Sequence, residues 1–370
     1  MSKNLANPYR PFFFVGLFAS LIGVSVWIAT ALIPSLPYPG RLHAHLMMGV
    51  FLLSYAIGFL MTALPRLTQT PTAHRYEFLS ASLLMGWIVT VGIYDSTEKM
   101  FFVGTLVTSI FIFFFGIRRF IRTEVPIPNF FPMLFWGIFS VFLGSILVLT
   151  GQPILGAALF YQNFMLCLVL GIGTFLIPRI LGIPQNPKIG NKWIFFLLGL
   201  FMTLSLVLYE IYGYFWAPYL RAVLATGLVI FGWKITAKNE RKNAVGVGIK
   251  IATMSTLIGL WVLAVTPEYR LEALHTIYIT GFSLLTFMVA SRVILSHGNY
   301  GLSAEEKNPY IKAAIFFICL AALTRIAAVF IPESYEKHLA YASVSFIIGA
   351  TIWAKYFLPR IFENFGQLDS

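Results

Sequence analysis

The amino-acid sequence predicts an all-α polytopic membrane protein of about twelve transmembrane helices, with the N-terminus and C-terminus both cytoplasmic. Composition is the first ground for this. Of 370 residues, 58% are hydrophobic and only 11% charged, where an ordinary soluble domain carries about 25% charged residues. Too little polar surface remains to coat a water-facing globule. Run length is the second ground. Apolar stretches of about 20 residues recur along the chain, the length at which a helix crosses the hydrocarbon core with its backbone hydrogen bonds satisfied internally. The third is cationic asymmetry: of 26 Lys and Arg, twenty fall on one side of such a layout and four on the other.

The spans follow in order. The first, 12–33, comes directly after the segment Ser2 to Arg10 and reads as an uncleaved anchor rather than a signal peptide. The second, 43–64, opens on His43 and His45 and closes on Leu64-Pro65-Arg66. The third and fourth, 77–94 and 99–117, lead to Arg118, Arg119 and Arg122. The fifth is 130–150. The sixth, 154–177, carries Tyr161, Gln162 and Asn163 and closes on Ile177-Pro178-Arg179. The seventh and eighth are 193–212 and 216–235, the latter holding Arg221. After the ninth, 245–266, the tenth runs from 273 to 296, with His275 near its start and Ser291-Arg292 near its end. The eleventh, 311–331, holds Arg325, and the twelfth, 338–358, opens on His338 and closes on Leu358-Pro359-Arg360. Proline stops each helix and arginine anchors it at the headgroups. The spacing of spans two, six and ten hints at a four-helix unit repeated three times. Loops are short, so residues 1–370 read as one integral-membrane domain.

The outer side carries only Arg41, Lys99, Arg270 and Lys337, and the cation-rich side is cytoplasmic. The net charge of +12 therefore marks topology, not nucleic-acid binding. Cys167 and Cys319 both lie in apolar runs with no CxxC spacing, which makes them small buried hydrophobes.

Chemistry concentrates in the histidines and two arginines. His43, His45, His275 and His338 fall at the outer ends of their spans, while His74 and His297 fall on the inner side. Neutral imidazole is the commonest metal ligand and an axial ligand of haem iron. A lone interfacial histidine is ordinarily just a polar residue, but four at one depth point further. His43 and His45, two residues apart, point about 200° apart on a regular helix. Either His43 lies in the turn after Pro39-Gly40, or the two serve different sites on opposite sides of the helix. Met47 offers a thioether of the kind that suits Cu(I), though methionine in a membrane core is usually packing. His275 and His297 are 22 positions apart, about 33 Å along a helix, and cannot share a site. Arg221 and Arg325 lie inside spans, where a cation is costly and faces a partner in the bundle. Haem propionates suit that role, as does Glu210 or another outer carboxylate. Tyr161, Gln162 and Asn163 either hydrogen-bond a ligand or hold helices together.

With these residues located, the sequence resembles the NnrS family. The resemblance rests on Asn7-Pro8-Tyr9-Arg10-Pro11-Phe12, on Leu42-His43-Ala44-His45-Leu46-Met47-Met48-Gly49 and on Gly58-Phe59-Leu60-Met61-Thr62-Ala63-Leu64-Pro65. It continues from Leu274-His275 to Ser291-Arg292-Val293 and Ser296-His297-Gly298. It implies a bacterial inner-membrane protein that binds haem, of b type, and copper and serves nitric oxide metabolism and resistance to nitrosative stress. It also implies His43, His45 and His275 as metal ligands. Two positions depart from the family pattern: Leu46 stands where an acidic residue usually follows the His-x-His, and His297-Gly298-Asn299-Tyr300 replaces His-Thr-Gly-Arg. The plan also looks like the core subunit of haem-copper oxidases and nitric oxide reductases. Span six has no histidine, however, so their three-His copper site is not written here. Four outer histidines allow a bis-His haem with a two-His copper, or a five-coordinate haem with a three-His copper.

The expectation is thus a haem and copper protein that binds or turns over nitric oxide, a possible nitric-oxide-reacting oxidoreductase with an unidentified electron donor. Cofactor candidates are His43, His45, His275, Arg221 and Arg325, and metal candidates are His43, His45, His275, His338 and Met47. The rival expectations are a secondary transporter, which would need a polar midplane site, and a haem- or copper-handling assembly factor for a reductase.

Overall fold

The computed structural model describes residues 7–94, 98–183, 191–238, 243–298 and 300–362. Ser2 and Asn299, named in the sequence reading, lie outside them, as do Lys3, Lys188, Arg241 and Lys242 among the twenty cations of the inner side. The described residues contain helices and no strand. Twelve helical segments run in order: α1 (Tyr9–Leu32), α2 (Gly40–Leu67), α3 (Arg75–Tyr94), α4 (Lys99–Arg122), α5 (Phe131–Leu149), α6 (Pro153–Leu181), α7 (Lys192–Tyr212), α8 (Trp216–Gly232), α9 (Ala244–Val265), α10 (Pro267–His297), α11 (Ser303–Phe330) and α12 (Pro332–Phe362). Eleven are long and apolar enough to cross a membrane. The eighth is shorter than the sequence suggested. At about 1.5 Å per residue its 17 positions span about 25 Å, somewhat less than a hydrocarbon core of about 30 Å. Its last turn, Leu228–Gly232, is π-helical, and Lys234 just beyond adopts φ 53°, which ends the helix there.

Helix ends follow local chemistry. The Asn191 side chain accepts from the Trp193 N–H at the start of α7, and Asn308 accepts from Tyr310 and Ile311 within α11. Each satisfies a donor that the first turn leaves orphaned. Gly182 and Gly213, at φ 69° and 65°, close α6 and α7 in the left-handed conformation that glycine tolerates. The prolines expected to stop helices do not. Pro65, Pro178 and Pro359 lie inside α2, α6 and α12, which run on to Leu67, Leu181 and Phe362. So close to a C-terminus a proline removes a single backbone bond, and the remaining turn still closes.

Four helices carry π-helical turns: His45–Leu52 in α2, Leu159–Asn163 in α6, Leu228–Gly232 in α8 and Ile277–Ser283 in α10. Such turns are rare and cluster at functional sites. In α2, α6 and α10 the π turn begins in the first half, and these are the three spans whose spacing hints at a repeat. They are also the most buried, at 83%, 67% and 72% of their most apolar windows against at most 50% elsewhere.

The chain forms two compact units, Met1–Phe12 with Ala56–Lys238 and Phe13–Tyr55 with Asn239–Ser370. In the first, α5 packs on α4, α6 and α7. Thr105 and Ser145 share a hydrogen bond of 2.8 Å between α4 and α5, and the Asn163 amide donates to Ser140 and Thr203, joining α6 to α5 and α7. Asn163 therefore holds helices together. Tyr212, Tyr214 and Trp216 stack successively at the α7–α8 turn, an aromatic cluster of the kind found at a membrane–water interface. In the second unit, α9 packs along α10 and α11 along α12. Phe287 of α10 meets Phe51 of α2 and Trp353 of α12, and the Trp353 indole donates to Ser291.

Candidate functional site

The second unit brings His43, His275 and Arg325 together. His43 lies inside the helical opening of α2, since the helix already begins at Gly40 and the His43 N–H bonds to the Pro39 carbonyl. The alternative in which His43 occupies a turn is therefore not adopted. Its Nδ1–H donates to the Gly23 carbonyl of α1 at 2.7 Å, and its ring meets Trp27 edge-on at 5.7 Å. α1 and α2 come this close because residue 23 is glycine: a Cβ there would lie 3.0 Å from Leu46 Cβ and from Met47 Sδ.

His275 is held in the same way from its own helix. Its Nδ1–H donates to the Leu271 carbonyl at 2.8 Å, one turn back in α10. A carbonyl only accepts, so both imidazoles are locked in the Nδ1–H tautomer, with the Nε2 lone pair outward. Neither Nε2 has a hydrogen-bond partner among the described residues. Nδ1–H bonded to a backbone carbonyl with Nε2 left over is the arrangement that orients metal-ligating histidines. Both imidazoles are half-buried. Both lie close to Arg325 and to each other.

Arg325 is buried in α11. Its Nη1 lies 3.7 Å from the carboxylate of Glu272, also buried, and its Nη2 is 3.5 Å from the Tyr335 hydroxyl. For Arg325 the expected ion pair with a carboxylate exists, with Glu272. It is loose, and Arg325 Nη1 makes no hydrogen bond. A buried guanidinium with a spare donor has capacity for another anionic oxygen. Glu272, Gly23, Trp27 and Tyr335 were given no role by the sequence reading. Glu272 alone had a visible signal, as a carboxylate three residues from His275.

The other candidates sit on α2, α12 and α8. His45 opens the π turn of α2 and is 1% exposed, so two positions along the helix the two histidines occupy different surroundings. Met47 Sδ faces the site of Gly23, where it contributes to helix packing. His338 lies one turn beyond Tyr335 in α12. Its Nδ1 is buried without a hydrogen-bond partner, and its ring meets Tyr341 edge-on at 6.0 Å. Arg221 belongs to the first unit, buried in α8. His74 is exposed ahead of α3, and His297 ends α10.

A haem needs one or two imidazole donors and cations for its propionates. The Nε2 lone pairs of His43 and His275 and the orphaned Nη1 of Arg325 fit those needs. Copper fits less well: among the described residues no three His, Cys, Asp or Glu side chains converge on one point. A family model described as NnrS protein matches residues 3–364. A comparison with curated proteins gave no match.

Proposed function

The chain belongs to the NnrS family, and from that premise we propose that it holds haem b through Nε2 of His43 and His275 and binds nitric oxide there. Membership supports, at the level of the family, a nitric-oxide-related haem and copper membrane protein. The observation that carries the finer reading is the pair of Nδ1–H···O=C bonds, to Gly23 and Leu271, which leaves two lone pairs free beside a buried arginine.

The chain's own groups do the preparatory work. Gly23 and Trp27 fix the plane of His43, and the Leu271 carbonyl fixes that of His275. Both donors are thus pre-oriented, so less conformational freedom is lost on binding. Arg325 turns its spare N–H to a propionate while Glu272 and Tyr335 hold the guanidinium in place. The apolar spans around the site admit a small neutral molecule from the lipid and exclude ions. Haem held there would supply an iron that takes nitric oxide once one of the two imidazoles gives up its position. Copper, with His45, His338 and Met47 as candidate donors, is given no step, because no three His, Cys, Asp or Glu side chains form a metal-holding group among the described residues.

The reading includes a bacterial inner membrane with both termini inside. The transporter reading is weaker because the buried carboxylates Glu272 and Glu305 are both ion-paired, with Arg325 and Arg292. The test is haem content of the purified full-length protein, wild type against H43A, H275A and H74A. Haem lost in the first two and kept in H74A supports the proposal. Full haem content in both H43A and H275A overturns it.

A further inference from the structure

A second polar site lies in the first unit, where the start of α3 meets the end of α4. Thr70, Thr72, His74, Glu77, Arg118, Arg119 and Arg122 border an open pocket of about 80 Å³. Glu77 organises it. Its Oε1 accepts from Arg118 at 3.2 Å and from Arg119 at 3.1 Å, and its Oε2 accepts from Arg119 at 2.9 Å and from the His74 backbone N–H at 2.8 Å. A carboxylate offers about four lone-pair sites, so Glu77 is saturated. It caps α3 and neutralises one of three arginines. Arg122 has no ion pair among the described residues, and Glu124 does not border the pocket. Two positive charges are left over.

Arg119 keeps a spare donor beside its pair with Glu77. It is 4% exposed, its guanidinium lies on the Phe115 ring at 3.4 Å, and its buried Nε has no hydrogen-bond partner. The loops beside it are pinned: the Thr123 hydroxyl donates to the Thr68 carbonyl at 2.8 Å, and Thr68 and Thr70 share a hydroxyl bond at 2.9 Å. From these groups we infer that the pocket binds the phosphate of an anionic phospholipid headgroup. Free phosphate would fit the arginines equally, but the flanking surface favours lipid. Tyr76, Leu79 and Leu83 on α3 and Phe114, Ile117 and Ile121 on α4 are all exposed. Each set follows i, i+3, i+7 spacing and forms one helix face. Both faces lead away from the arginines along the spans, as acyl chains would. Basic pockets between spans bind anionic headgroups on this principle. The inference does not depend on the haem reading.

The test uses full-length protein in detergent, titrated with short-chain phosphatidylglycerol, phosphatidylcholine of equal chain length, or inorganic phosphate, and read by native mass spectrometry and thermal unfolding. Wild type should prefer phosphatidylglycerol. R122Q and R118Q/R122Q, changed at exposed residues, should lose about tenfold in its affinity, and K355Q, outside the pocket, should not. Equal binding of phosphatidylcholine, or equal weakening by K355Q, overturns the inference. Stabilisation by inorganic phosphate as strong as by phosphatidylglycerol assigns the pocket to a free anion and overturns the lipid assignment.

Discussion

Glu272 and Arg325 separate two roles for the arginine, because their removal should affect haem in opposite directions. Both are buried, with 3.7 Å between Nη1 and Oε1. At an effective dielectric of about 20 that separation corresponds to about 4 kcal/mol of attraction, and removing one partner of a buried pair costs about 3–5 kcal/mol. E272Q keeps the volume and leaves the guanidinium unpaired, so haem-free E272Q should unfold about 4–6 °C below wild type for a chain of this length. A propionate on Arg325 restores the missing anion, and haem should recover most of that loss. R325Q acts the other way. It leaves the Glu272 carboxylate beside a propionate with no cation between them, and it removes a hydrogen bond to a charged group. Haem affinity should fall about tenfold to a hundredfold. The assay is haem titration of haem-free protein, followed by thermal unfolding with and without haem. If E272Q and R325Q lower haem affinity by the same factor, or haem fails to stabilise E272Q, Arg325 does not hold a propionate.

Four further outcomes follow from packing and topology. Gly144 and Gly156 bring α5 and α6 into backbone contact, each with a Cβ position under 3.0 Å from the other's carbonyl oxygen; G156A should cost about 1–3 kcal/mol in thermal unfolding. G86A, with nothing within 4 Å of its new methyl group, should instead raise stability by about 0.5–1 kcal/mol. N163A removes the bonds to Ser140 and Thr203 and should cost about 1 kcal/mol, measured the same way. For orientation, K99C in intact cells should react with an impermeant thiol reagent, while K355C should react only after lysis; the reverse pattern would invert the topology.

The helical membrane architecture was legible because hydropathy reports burial in lipid directly. Span edges were less so. Span twelve was read as 338–358 and observed as Pro332–Phe362, since a helix leaves the hydrocarbon before it ends, and hydropathy sees only the hydrocarbon. The π turns left no readable mark: a π turn is set by tertiary packing, and sequences such as Ile277–Ser283 look like ordinary helix. At the site, residue type made His43, His275 and Arg325 visible. The groups that orient them were not. Gly23 matters for a missing side chain and a carbonyl, and Leu271 for a carbonyl alone, and backbone acceptors carry no residue-type signal. Arg221 and Arg325 looked equivalent in sequence, and only the fold assigns them to different units.

The central claim is tested most directly by the optical spectrum of the reduced, haem-loaded protein before and after nitric oxide. The account predicts a Soret band that shifts on nitric oxide addition in wild type and is lost or strongly weakened in H43A and H275A. A Soret band that ignores nitric oxide in wild type, or persists unchanged in both variants, would contradict it.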